Sequence, residues 1–152
     1  MDIRDMIVVG LIGLAMLCLH PTAKAVDLTR EQAASLYAIA YGQAGFIPDE
    51  SPTIYLTPAK ELDEIVCKRP CGAKAAQIEN GIYLLDTLDM TDPMNASILL
   101  HELVHFVQWK QHGKAKDCDD YHNREVEAYR IQFDALSRLG IRPPSVSVPL
   151  CI

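Results

Sequence analysis

The chain lacks any surplus of basic residues: 14 Lys and Arg stand against 20 Asp and Glu among 152 residues, a formal net charge of −6. With no basic run either, nucleic acid is not expected as a partner. Internal repeats and low-complexity segments are also missing, so neither a solenoid nor a biased linker is expected. Long apolar runs are absent after residue 19. The one before it, residues 6–19, is too short for a membrane-spanning helix, which needs about 20 residues.

That short run instead suits an export signal. Arg4 supplies a basic start, residues 6–19 the apolar stretch, and Ala23-Lys24-Ala25 a small-x-small cleavage site, so the mature chain should begin at Val26. An uncleaved anchor is the competing reading. A lipid on Cys18 is disfavoured by Leu17 and Met16, large residues where lipoprotein signals want small ones. Residues 1–25 are thus read as a signal peptide. Residues 26–152 are read as one domain with one core, exported to a periplasmic or secreted location and expected to be a monomer with no membrane attachment after cleavage.

Removing the leader keeps Cys67, Cys71, Cys118 and Cys151. An even number in an exported chain implies two disulfides, with three possible connectivities. Cys67 and Cys71 are close enough for a local bridge around Pro70, which leaves Cys118 to clip the tail at Cys151, worth about 3–4 kcal/mol. A four-cysteine zinc site is the rival, and an oxidising compartment disfavours it.

The mature chain reads as α+β, strands first and two long helices after. Asp27 or Thr29 caps a first helix whose apolar stripe (Leu28, Ala33, Leu36, Tyr37, Ala40) runs to Gly42. Residues 53–57 form a strand ended by Pro58, and residues 59–66 a short helical turn. Residues 76–78 and 82–85 flank Glu79-Asn80-Gly81, where Asn-Gly predicts a tight hairpin turn in a small antiparallel sheet. Asp92 as N-cap and Pro93 at the first position open a helix with no other breaker to Trp109. Asp120 or Asn123 starts the last helix, which stops at Gly140; residues 141–152, with three prolines, form an extended tail.

The central helix carries His101-Glu102-Leu103-Val104-His105, an H-E-x-x-H motif. Residues four apart share one helix face, so both imidazoles can reach a single zinc ion. Glu102 lies about 100° round from His101, where a carboxylate can take a proton from the attacking water. Leu99, Leu100, Leu103, Val104, Phe106 and Val107 make the helix apolar nearly all round. A His-Glu-His set buried on it needs partners, and a metal supplies one; two core histidines are the alternative. Asn95-Ala96-Ser97 matches a glycosylation sequon, but on this helix it is read as chance.

A catalytic zinc usually takes a third protein ligand. His112 comes too early for the metzincin spacing and lacks its glycine pattern. The last helix offers Glu125 and Glu127. At about 100° per residue, Glu125 lies amid Leu136, Tyr129, Ala128 and Leu139, whereas Glu127 falls beside Asp134 and Arg138. A carboxylate in an apolar stripe is costly unless it is paired or bound to metal, which favours Glu125, with Glu127 as the alternative.

These residues give the chain a resemblance to the gluzincin metallopeptidases, the thermolysin-like group. His101, Glu102 and His105 match that group's motif, Glu125 stands where it has a third ligand, and Glu125-Val126-Glu127-Ala128 is similar to the E-x-E-A segment of compact zinc peptidases. The resemblance covers roughly residues 76–140 and implies a minimal zincin-like domain: a small sheet, an active-site helix and a glutamate helix. It implies hydrolysis of peptides or proteins with zinc as cofactor, His101, His105 and Glu125 as ligands, and Glu102 as catalytic base. Residues 82–85 would be the edge strand beside the substrate, with an ordinary interior strand as the alternative. The chain departs from the pattern four positions after Glu125, where an acid often orients a histidine and here Tyr129 stands. Tyr121, His122 and Tyr129 are candidates to stabilise the oxyanion or to orient a ligand. The competing readings are a catalytically silent zinc-binding module that recognises a partner, and a zinc amidase acting on cell-wall-type amides.

Overall fold

The computed structural model describes residues 30–148. The signal-peptide segment, the caps Asp27 and Thr29, and Cys151 lie outside them. The described chain is α+β, in the order α1 (Arg30–Ala44), β1 (Thr53–Thr57), α2 (Ala59–Cys67), β2 (Ala75–Ile78), β3 (Gly81–Leu85), α3 (Pro93–His112) and α4 (Cys118–Arg138). No helix among these residues is long and apolar enough to cross a membrane.

The sheet has the order β1-β3-β2. It is mixed, not wholly antiparallel: β2 pairs antiparallel with β3, but β1 pairs parallel with it. Parallel pairing is possible because α2 carries the chain from one edge, past β3, to the other. Residues 82–85 therefore lie in the central strand, and the expectation that they form the edge beside the site is corrected. That edge is β2.

The hairpin turn also sits one residue earlier than expected. Ile78 pairs with Gly81, so Glu79-Asn80 is the turn, and Glu79 takes the left-handed φ of 52°. Gly81 opens β3 for a different reason. A Cβ there would meet the rings of Tyr55 and Tyr83 at 3.1 and 3.2 Å, and these rings stack across it with centroids 4.9 Å apart.

Helix α3 is the spine of the core. Asp92 caps it, accepting from the Met94 amide at 2.9 Å, with Pro93 in the first turn. Leu99, Leu100, Leu103, Val104 and Phe106 are buried with Ile82 and Leu84 of the sheet, Ala40 of α1, and Ala128 and Ile131 of α4. Ser97 on α3 accepts from Gln132 of α4, so the sequon serine is a buried interhelix contact.

Helix α4 starts before the expected Asp120 or Asn123. Asp117 is the N-cap, accepting from the Asp120 amide at 2.8 Å. Asp120 instead ties down the preceding loop, taking the Lys116 amide and two hydrogen bonds from Arg124. At the other end Ile141 N–H donates to Leu136 O and Gly140 N–H to Ser137 O, a Schellman closure around Gly140 at φ 72°.

The Cys67–Cys71 disulfide is present, and Cys118 is disulfide-bonded as well. The pairing of Cys118 with Cys151 falls outside the described residues.

Candidate metal centre

Helices α3 and α4 pack side by side and bring three donors together. His101 Nε2 and His105 Nε2 are 3.0 Å apart. Glu125 closes the triangle, with Oε1 3.1 Å from His105 Nε2 and Oε2 3.6 Å from His101 Nε2. Tetrahedral coordination with bonds of about 2.0–2.1 Å separates ligand atoms by about 3.3–3.4 Å, so the triangle has the right size. Its chemistry fits too. Two imidazole nitrogens and a carboxylate converging in a buried site are a donor set that a metal ion or a shared proton can satisfy. This buried His-His-Glu group could hold a metal ion. Glu125 joins it because, as its wheel position implies, its carboxylate is carried into the core at 8% exposure.

Glu127 is not in the group; it is exposed and has another partner. Gln108 Nε2 donates to Glu127 Oε2 at 2.9 Å and to Arg124 O at 3.1 Å. With its NH₂ used twice, the Gln108 amide turns Oε1 toward His105 Nδ1, 2.9 Å away. With Gln108 Oε1 as acceptor, His105 carries a proton on Nδ1, so that the neutral ring presents a bare Nε2 to the triangle. Sequence reasoning missed Gln108. The one signal for it was its position three residues beyond His105, an amide on the same face of an otherwise apolar helix.

His101 is held differently. Its Nδ1 is buried with no hydrogen-bond partner among the described residues. Tyr129 packs its ring on the imidazole instead, centroids 4.3 Å apart. The His101 ring is thus positioned by contact with Tyr129 and not by a hydrogen bond to Nδ1.

Glu102 is 8% exposed and stands beside the triangle without joining it. Burial pushes its carboxyl up from the ordinary value; His105 and His101 oppose that rise, Glu125 adds to it, and the Gln77 backbone nearby opposes it. Burial also disfavours the Glu125 charge, but the His101 and His105 imidazoles beside it, at 3.6 and 3.1 Å, outweigh it and hold that carboxyl well below the usual range. Tyr121 is pushed up to about 12, by burial first and then by the neighbouring Glu125 charge. Tyr129 is raised as well, by burial and the same carboxylates.

All these groups line one cleft of about 510 Å³, with β2 as one wall and α3 and α4 as the other. Tyr121 and Tyr129 are on its surface; His122 is not. The ladder gives the free edge of β2 a definite pattern. Leu85 N–H bonds to Lys74 O on the β2 side, while Asp86 N–H bonds to Thr57 O and Thr53 N–H to Asn80 O on the β1 side. Residues 74, 76 and 78 therefore pair inward with β3, and Ala75 and Gln77 turn their amides and carbonyls out to the cleft.

A family profile described as a domain of unknown function (DUF6647) matches residues 47–148, and the chain belongs to that family. The whole candidate centre lies inside the matched segment. No curated protein and no solved structure matches the chain.

Proposed function

We propose that the protein is an exported zinc-dependent peptidase that uses Glu102 as general base. One observation carries the reading: a three-donor group of metal-binding size stands beside a buried carboxylate that is not part of it, in a cleft with a free strand edge. A purely structural site would favour four protein ligands and would have no use for Glu102.

His101, His105 and Glu125 would hold the ion, which when bound polarises the scissile carbonyl and acidifies water. Glu102 takes one proton from the attacking water as its oxygen bonds to the carbonyl carbon. The same carboxyl then gives that proton to the departing amine as the carbon–nitrogen bond breaks. Tyr121 and Tyr129 keep their protons at neutral pH and line the cleft, so either can donate to the developing oxyanion. The outward amides and carbonyls of β2 offer a peptide main chain its partners. The Cys67–Cys71 disulfide accords with export.

Metal analysis of the purified protein, combined with a broad peptide-library digest, tests the proposal. One zinc per chain, lost in Glu125→Ala together with cleavage, is the expected result. A protein that takes up zinc and cleaves no peptide is instead a binding module.

A further inference from the structure

Four polar residues of α3, Ser97, His101, His105 and Gln108, stand three or four apart and so share one face of the helix. Each meets a partner on α4. Gln132 Nε2 donates to Ser97 Oγ at 2.9 Å, and the Tyr129 ring packs on His101 with centroids 4.3 Å apart. Glu125 Oε1 lies 3.1 Å from His105 Nε2, and Gln108 Nε2 donates to Arg124 O at 3.1 Å. The partners descend α4 as the stripe ascends α3, so the two helices run antiparallel in one register. Two hydrogen-bonded ties therefore flank the metal-binding group. The tie at Gln108 acts through His105. The tie at Ser97 lies outside the cleft, yet both its residues are buried, Ser97 at 4% and Gln132 at 5% exposure.

We infer that Ser97 and Gln132 are positioning residues, which set the axial offset of α4 on α3 and with it the distance of Glu125 from the two histidines. Ser97 is a fixed acceptor, because its own hydroxyl hydrogen is committed to Met94 O, 2.7 Å away on α3. The core that joins the helices includes Leu100 and Leu103 of α3 and Ala128 and Ile131 of α4. Apolar burial is non-directional and defines an offset less sharply than a hydrogen bond does. A slide by one residue moves α4 by about 1.5 Å. That is enough to take the Glu125 carboxylate out of a group whose ligand bonds would be only about 2.0–2.2 Å long. Gln132 stands two turns beyond Glu125 on α4, so its tie is transmitted to the carboxylate through rigid helix. Replacing both partners with apolar groups leaves neither side chain unpaired, which is nearly neutral for stability. Stability and metal affinity should therefore separate.

The effect on metal rests on the reading of His101, His105 and Glu125 as ligands, but the register does not, and the experiment separates the two. Ser97→Ala/Gln132→Leu is compared with wild type and with Ile131→Val, which trims the apolar part of the same core. Chelator competition gives zinc affinity, the visible absorption of bound cobalt(II) reports coordination, and denaturant unfolding gives stability. In metal-free protein, nuclear Overhauser contacts between the His101 and Tyr129 rings report the offset. The double variant should be as stable as wild type, bind zinc about tenfold or more weakly, change its cobalt bands and lose the ring contacts. Ile131→Val should keep zinc affinity within about twofold and keep the ring contacts. If wild type binds neither metal but the double variant alone loses the ring contacts, the inference stands and the metal reading fails. Ring contacts that persist in the double variant overturn the inference. So does a zinc affinity that is unchanged there, or that falls equally in Ile131→Val. A double variant that does not fold also overturns it, because positioning predicts near-wild-type stability.

Discussion

Gln108 holds His105 by the ring nitrogen that faces away from the metal-binding group, with Oε1 2.9 Å from Nδ1. Its own orientation is set by Glu127, 2.9 Å from the amide nitrogen. The carboxylate that the sequence offers as a rival ligand therefore acts two bonds further out, on the residue that aims a ligand. Gln108→Leu should weaken metal binding by about 10- to 100-fold, Glu127→Ala by less, and Glu125→Ala should abolish it. Competition titration against a chromophoric chelator measures all three; an unchanged affinity in Gln108→Leu would contradict the arrangement.

Tyr129 positions His101 through its ring, 4.3 Å between centroids, and not through a hydrogen bond. Tyr129→Phe should accordingly keep metal affinity within about twofold, while Tyr129→Ala should lose about tenfold. Equal losses in both variants would transfer the role to the hydroxyl.

The metal-free protein should have a distinctive pH response. Burial opposes the His105 charge, but Glu125 and Glu102 outweigh it and raise the imidazole above its ordinary 6.5. A raised value contributes stability that is full below 6.5 and fades as pH rises through the folded value. Glu125 is held below its ordinary 4.5, so its contribution is full above that pH and is lost as pH falls through the folded value. Both are fully present between pH 4.5 and 6.5. The raised Glu102 carboxyl, however, withdraws stability as pH rises above 4.5, so metal-free protein should unfold at its highest temperature toward the acidic end of that window. Binding zinc requires neutral imidazoles, so uptake near neutrality should release protons and tighten with pH. Titration calorimetry in two buffers of different ionisation heat reads the release; no difference between buffers would count against a charged His105–Glu125 pair.

The Cys67–Cys71 bridge closes a very short loop, so its stabilising effect should be small. Replacing both with Ser is expected to cost about 2 kcal/mol in denaturant unfolding. Peptide mapping of a non-reduced digest should recover the bridge, and free thiols at both positions would contradict it.

The features legible in the sequence are those set by local chemistry. Asp92 and Pro93 mark the start of α3, the apolar faces mark its burial, and the helical wheel separates Glu125 from Glu127. Features that depend on long-range pairing were not legible. Nothing in residues 53–57 says that they pair parallel with β3, and that pairing is what moves residues 82–85 to the centre of the sheet and leaves β2 on the edge. Asn80-Gly81 reads as a turn, but Gly81 is required by the tyrosines stacked across it, and the turn shifts by one residue. At the start of α4 several acids compete as caps; Asp117 takes the position because Asp120 is engaged with Arg124 and the Lys116 amide. Gln108 alone is an amide on a helix, and its role exists only once α4 packs against it.

Glu102→Gln tests the central claim most directly. The substitution keeps the shape of a buried side chain that is next to the metal-binding group but outside it, so zinc content and folding should match wild type. Turnover of a cleaved library peptide should fall by about 10²-fold or more, because the base acts in the chemical step. Hydrolysis that survives Glu102→Gln undiminished, in protein that still holds its zinc, would contradict the account.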